Sequence, residues 1–330
     1  MKKLNFKVSI IVIHLGKDEL LINFLNSLYK NFISYPFDVI VIDNHSQMST
    51  IDDLVNKYQN CRLIKTNKKV GYAEATNLGI KNSRSEYILW CNNDLLFTQN
   101  AINLLISFLD FNMNYAIAGP QLLNFDGSKQ ESGSHIDINL FSLFLEKLHI
   151  IKILKFFYNL LHNKKENPFR VKITTGACCL IRRNSLEKIG GLIDERFYMY
   201  CEEFDLSRML RKKGFNIAVI PKSKIIHLGG QTTSGTSINY LIQSYKSKFS
   251  YIKKHYGKIS INLFSLFISL FSVLYLIIYF TLIAILYIFN RKKTFFLKQK
   301  LFLNFYLLKL SLTKEKFNSR NLVFYYGQNN

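Results

Sequence analysis

The residues Tyr87-Ile88-Leu89-Trp90-Cys91 form an apolar, strand-like run that stops at Asn92-Asn93-Asp94. In an α/β protein such a strand end delivers a charged group into a cleft. A single Asp there can hold a divalent cation against a diphosphate. Mg²⁺ takes few protein carboxylates and completes its shell with water and phosphate oxygens. Read alone, Asp94 serves equally well as a helix cap or a turn former.

The surrounding chain repeats the same pattern. Val8–Ile13, Phe37–Ile42, Arg62–Lys65, 86–91 and Ala116–Gly119 read as short strands. Asp18–Tyr29, Ile51–Tyr58, Ala73–Ile80 and Ala101–Phe111 read as the helices between them. Strands of four to six residues separated by helices predict a mostly parallel, doubly wound sheet. Its ligands would sit at the carboxyl ends of strands, which carry Asp43, Asn44 and Asp94. A second α/β-like stretch runs from Ile173 to His227, with a helix at Glu203–Lys213. Between them, Asp137–Leu161 reads as an amphipathic helix or as ordinary core.

Charge is distributed unevenly. The 330 residues hold 44 Lys and Arg against 22 Asp and Glu, and residues 241–330 hold fourteen of those cations with one acid, Glu315. A basic tail suits nucleic acid or an anionic membrane surface. This one also contains 32 consecutive uncharged residues, Ile259 to Asn290, rich in Leu, Ile and Phe. That composition excludes nucleic acid and points to a membrane. As a helix the run would span about 48 Å, against a hydrocarbon core of about 30 Å. Two full passes do not fit within it. One tilted span with a shallow re-entrant or interfacial segment is expected. The five Cys form no CxxC pair, so neither a zinc site nor a disulfide framework is indicated. The N-terminus lacks an apolar stretch long enough for a signal peptide, which predicts a cytosolic N-terminal domain.

Several motifs stand in a recognisable order. They are Val8–Ile13, Val41-Ile42-Asp43-Asn44-His45-Ser46, Val70-Gly71-Tyr72-Ala73 with Asn77-Leu78-Gly79, Leu89 to Asp94, and Phe125-Asp126-Gly127-Ser128. Thr175-Gly176-Ala177 through Asp194-Glu195-Arg196-Phe197, Met199 to Leu206, and His227-Leu228-Gly229-Gly230 follow. In this order the chain resembles glycosyltransferase family 2, the inverting GT-A enzymes, and especially their bacterial rhamnosyltransferase-like branch. The resemblance covers roughly residues 6–258. It implies a GT-A catalytic domain over 1–238, with a donor-binding part at 1–120 and an acceptor and catalytic part at 121–238. A basic, hydrophobic, helical membrane-associating region would follow at 239–330.

The resemblance also implies roles. Asp43, Asn44, Gly71, Asn77, Asn93 and Asp94 would bind the nucleotide sugar, dTDP-rhamnose or a UDP-sugar. Asp94 and His227 would hold Mg²⁺ or Mn²⁺. Glu203, with Glu202 and Asp205 beside it, would supply the catalytic base. The acceptor would be a glycan or lipid-linked glycan, and the location the cytoplasmic face of a bacterial plasma membrane.

Two departures matter. The first strand leads into His14-Leu15-Gly16, which offers no aromatic ring for base stacking. The family's Glu-Asp pair is Glu202-Glu203, whose second carboxylate reaches about one methylene further. These departures keep open a second reading, an inactive nucleotide-binding anchor subunit. A nucleotidyltransferase would need a Gly-rich phosphate loop near the N-terminus, and Gly16-Lys17 does not supply one.

Overall fold

The computed structural model describes residues 6–31, 33–46, 50–148, 150–151, 153–154, 166–229, 238–289 and 291–313. Residues 155–161 of the central stretch, Gly230 and Glu315 lie outside the described residues. The chain divides into two compact units. One comprises residues 1–137, 145–195 and 202–232; the other comprises 138–144, 196–201 and 233–330.

The first unit is built on a nine-stranded sheet. β1 (Val8–His14), β2 (Phe37–Asp43), β3 (Cys61–Lys65) and β4 (Tyr87–Asn92) pair in parallel in the order β3-β2-β1-β4. Helices α1 (Asp18–Lys30), α2 (Ile51–Asn56) and α3 (Tyr72–Lys81) alternate with these strands. Every side chain of β1 is buried, which is why Val8–Ile13 reads as a continuous apolar run rather than an alternating one. The elements run within two residues of the expected bounds.

Direction changes in the second half. β5 (Leu95–Phe97), α4 (Ala101–Phe111) and β6 (Tyr115–Leu123) follow β4. β7 (Gly133–Ser134) pairs with β9 (Ile173–Thr174), and α5 (Leu140–Lys147) and β8 (Phe169–Val171) lie between them in the chain. β10 (Cys178–Arg182) enters the sheet between β4 and β6, antiparallel to both. β11 (Asn216–His227) runs parallel to β6 and antiparallel to β5 and β8. Helices α6 (Arg183–Glu187) and α7 (Glu202–Lys212) precede β11.

The second unit is dominated by α8 (Ile238–Phe289) and α9 (Arg291–Leu312). Gly257, at φ 82° and ψ −168°, breaks α8 into two helical pieces. The first piece carries Phe249, Tyr251 and Ile252, all fully buried, and Ser247 Oγ donates to Met199 O at 2.7 Å. The second piece takes up nearly the whole uncharged run as a single helix. α9 returns alongside: Ser269 Oγ meets Ser311 Oγ at 2.7 Å, while Lys300 lies over the Tyr279 ring. Ser265, Ser272, Asn304 and Ser311 are buried, whereas Ile259, Leu263, Leu266, Leu270, Ile277 and Phe280 are exposed. Phe264, Ile268, Tyr306, Leu307 and Leu310 are buried as well, so small polar groups are interspersed among apolar ones on the buried side while further large apolar groups face outward.

One close approach sets how tightly α3 lies on the sheet. A Cβ on Gly79 would collide with Ile11 Cγ2 and lie 3.0 Å from its Cγ1 and Cδ1. Gly79→Ala should therefore lower the thermal midpoint, because overpacking costs about 1–3 kcal/mol and exceeds the gain of about 1 kcal/mol in helix propensity. A midpoint at or above the wild-type value would mean that the Ile11 side chain yields without cost.

Candidate active site

The carboxyl ends of β1, β2 and β4 lie level with one another. His14 is in register with Asp43, and Ile13 with Asn92. His14 is fully buried, so no ring is presented at that turn. Burial holds its pKa below the usual imidazole value despite Asp43 and Asp18 nearby, and the ring is neutral at pH 7. Asn93 Nδ2 donates to His14 Nδ1 at 3.1 Å, which anchors the residue before Asp94.

Asp43 is buried, and one carboxylate oxygen accepts the Ser46 N–H at 2.9 Å. The Asn44 amide brackets Val70, donating to its carbonyl at 3.0 Å and accepting its N–H at 2.8 Å. This joins the end of β2 to the approach of Gly71, the residue before α3. Asn77 works the same way on the other side of α3. Its Nδ2 donates to Ile193 O at 2.8 Å and Glu195 Oε1 at 2.9 Å, and its Oδ1 accepts Ile193 N–H at 2.9 Å. Both amides hold backbone segments in place.

β10 brings the second half of the chain to the same end. Cys178 pairs with Cys91, so Asn92 N–H donates to Ala177 O at 2.9 Å. The preceding residue, Gly176, has the Glu203 side chain over it, with Cβ and Cδ within about 3.6 Å of where a Cβ on Gly176 would stand. Glu203 therefore lies at the carboxyl end of β4. Tyr72 ties α3 to the end of β4: its hydroxyl donates to Asn92 Oδ1 and its ring lies 5.5 Å from that of Trp90. Burial and the nearby charges of Glu202 and Asp94 drive the Tyr72 pKa well above its usual value.

Glu202, Glu203 and Asp205 occupy the first turn of α7, where the helix dipole favours negative charge. Tyr200 and Cys201 just before them adopt φ of 70° and 69°. Left-handed backbone costs a non-glycine residue about 1–2 kcal/mol, strain of the kind concentrated at functional sites. Among the described residues, Oε2 of Glu202 and of Glu203 has no hydrogen-bond partner. Burial raises both carboxyls, Glu203 to about 7, and Glu202 well above its usual value with help from the Glu203 charge.

Asp94 completes the site. It is 4% exposed, and its Oδ1 has no hydrogen-bond partner among the described residues. β5 pairs antiparallel with β11, placing His227 opposite Leu95, and His227 Nε2 stands 3.3 Å from Asp94 Oδ1. Among the described residues no three His, Cys, Asp or Glu gather in a metal-holding cluster. An oxygen and an imidazole nitrogen together suit a cation that draws its remaining ligands from phosphate and water. The orphaned Asp94 oxygen is the atom such a cation would satisfy.

The profile of the family described as glycosyl transferase family 2 matches residues 9–190. The chain belongs to that family. It is 25% identical over 244 residues to the N-acetylglucosaminyl-diphospho-decaprenol L-rhamnosyltransferase of Mycobacterium tuberculosis, covering 67% of this chain and 76% of the relative. It is 25% identical over 263 residues to the dTDP-rhamnosyl transferase RfbF of Shigella flexneri, covering 78% and 83%. Among solved structures it superposes on GalNAc-T7 with UDP, GalNAc and Mn²⁺, with a TM-score of 0.57 and 14% identity. That match covers 76% of this chain but only 48% of the other, and it carries the fold alone. The protein is a family 2 glycosyltransferase with a GT-A fold.

In this glycosyltransferase, all ten expected site residues lie within the first unit. Four further residues contribute to the same end of the sheet: Tyr72, Asn92, Gly176 and Gln130, whose Oε1 lies 2.9 Å from His227 Nδ1. Tyr72 and Gly176 fall inside recognisable motifs. Gln130 carries no local signal, since its contact with His227 is 97 positions away in the chain.

The two raised carboxyls have a consequence for stability. Between about pH 4.5 and 7 the unfolded chain ionises Glu203 while the native state keeps its proton, so this group's contribution is lost as pH rises. Glu203→Gln should raise the thermal midpoint of the metal-free protein, by a margin that grows from pH 5 to pH 7.5. A pH-independent difference between variant and wild type would contradict the burial of an ionisable Glu203.

Proposed function

We propose that this enzyme transfers a sugar, with inversion at the anomeric carbon, from a nucleotide-diphosphate donor to a glycan or lipid-linked glycan acceptor. The observation that carries this reading is the buried, unpartnered Asp94 oxygen beside His227, at the sheet end that Glu203 also occupies. Asp94 and His227 would hold Mg²⁺ or Mn²⁺. When bound, that cation neutralises charge on the departing diphosphate. Asp43 accepts hydrogen bonds from the base or ribose, and Gly71 lets the start of α3 approach the phosphates. Asn44, Asn77 and Asn93 act from behind, fixing the segments that carry the contacts.

Glu203 is the base. Its raised pKa suits taking a proton from the acceptor hydroxyl near neutral pH. As that O–H bond breaks, the hydroxyl oxygen attacks the anomeric carbon, and the bond to the diphosphate oxygen breaks on the opposite face. Glu202, driven higher still, keeps its proton, so the pair carries one negative charge rather than two. Asp205 lies buried in the same turn and steadies it.

The names of the two rhamnosyltransferase relatives make dTDP-rhamnose the first donor to test, with UDP-sugars next. The first relative's name supports a lipid-linked acceptor. The C-terminal helix pair supports attachment to a membrane. One helix is long and apolar enough to cross, and its many exposed Leu, Ile and Phe side chains suit lipid as solvent. The basic residues flanking the run favour an anionic, cytoplasmic leaflet. We assign the pathway to bacterial cell-surface polysaccharide or O-antigen synthesis.

Two substitutions test these roles. Asp94→Ala should abolish transfer and Mn²⁺-dependent nucleotide binding; near-normal turnover would sink the metal reading. Glu203→Gln should lower kcat by about 10²–10⁴-fold with little change in donor affinity and should remove a rise in rate with pH near 7. Glu202→Gln should cost less, because adjacent helical residues point about 100° apart. If Glu202→Gln is the dead variant instead, the two carboxylates exchange roles.

A further inference from the structure

Gln130 lies two residues beyond the turn at Asp126-Gly127-Ser128. There Asp126 Oδ1 accepts from Ser128 N at 2.9 Å and from its hydroxyl at 2.6 Å. Asn124 Nδ2 donates to that hydroxyl oxygen at 2.8 Å, so Asn124 Oδ1 points the other way, as an acceptor. One end of the Gln130 side chain meets two acceptors, Asn124 Oδ1 and the His227 carbonyl, each at 2.7 Å. Only an NH₂ group satisfies both, so the amide cannot be flipped. The other end is therefore Oε1, an acceptor, and it lies 2.9 Å from His227 Nδ1.

His227 Nδ1 must then carry the proton. In the neutral ring Nε2 is bare, and Nε2 is the nitrogen facing Asp94 Oδ1 at 3.3 Å. In that form two lone-pair atoms face each other across the gap that a cation would fill. We propose that Gln130 is a positioning residue that fixes the Nδ1–H tautomer and ring plane of His227, so that Nε2 joins Asp94 as a ligand for a divalent cation. Without it, the ring is free to protonate at Nε2 and to donate to Asp94, which closes the site. The proposal rests on the metal reading above. Partners of this kind typically change metal affinity by about 10–100-fold.

The test uses the full chain in detergent. With ¹⁵N-labelled histidine, the His227 signals are identified among seven by their loss in His227→Gln. The metal-free wild type should show a protonated Nδ1 and an unprotonated Nε2 at neutral pH. Gln130→Met, close in shape but without the acceptor, should shift the ring toward Nε2–H. It should also weaken Mn²⁺ binding, read from the electron paramagnetic resonance signal of free Mn²⁺, by about 10–100-fold. An Nε2–H ring or an imidazolium in the wild type overturns the proposal without recourse to any variant. Unchanged Mn²⁺ affinity in Gln130→Met, with binding lost in Asp94→Ala, overturns the role of Gln130 and leaves the metal reading standing. A wild type that binds no Mn²⁺, even with a nucleoside diphosphate present, overturns both.

Discussion

Negative charge held out of water without enough positive charge to match it governs this active site. Asp94, Glu202 and Glu203 are carboxyls at one end of a sheet, with unpartnered oxygens among the described residues. An isolated buried carboxylate is costly, and a fold retains one when something answers the charge. At the two helical glutamates burial raises both carboxyls, Glu202 the higher, so that the pair can share one proton and carry one negative charge rather than two. Asp94 faces an imidazole nitrogen, and a cation between the two would answer it there.

The scaffold reaches this state by bringing distant segments to the end of β4. The parallel half supplies Asp43, Asn93 and Asp94 at strand ends, as a doubly wound sheet should. β10, entering antiparallel, lays Ala177 against Asn92 and so carries Gly176 and Glu203 to Asp94's end of the sheet. β11, pairing with β5, delivers His227. Asn44 and Asn77 are the buried brackets of this arrangement. Each uses its amide on backbone groups, and removing one would strand buried donors and acceptors.

Much of this was legible in the residues. Strands buried on both faces leave unbroken apolar runs, so β1, β2 and β4 and the polar residues ending them could be located. The acidic turn Glu202-Glu203-Phe204-Asp205 stood out through the matching Asp194-Glu195-Arg196-Phe197 upstream, since carboxylates in a helix's first turn are by themselves ordinary. The direction of β10 was not legible, since Cys178–Ile181 reads the same whichever way the strand runs. Gln130 was invisible for a related reason: a hydrogen bond to a residue 97 positions away leaves no local pattern. The uncharged run announced a long helix, but α9 did not announce itself as its partner, because its lysines interrupt the apolar residues that it buries. The departure at His14 proved informative, as the structure buries that ring and uses it to hold Asn93.

The proposed reaction is a single displacement, with Glu203 taking the acceptor proton and the diphosphate leaving from the opposite face. The anomeric configuration of the transferred sugar tests it most directly. It is read by NMR from the product that the full-length enzyme forms in membranes from a nucleotide sugar of known configuration. A single displacement gives the configuration opposite to the donor's. A product that keeps the donor's configuration would require a two-step or front-face route and would contradict it.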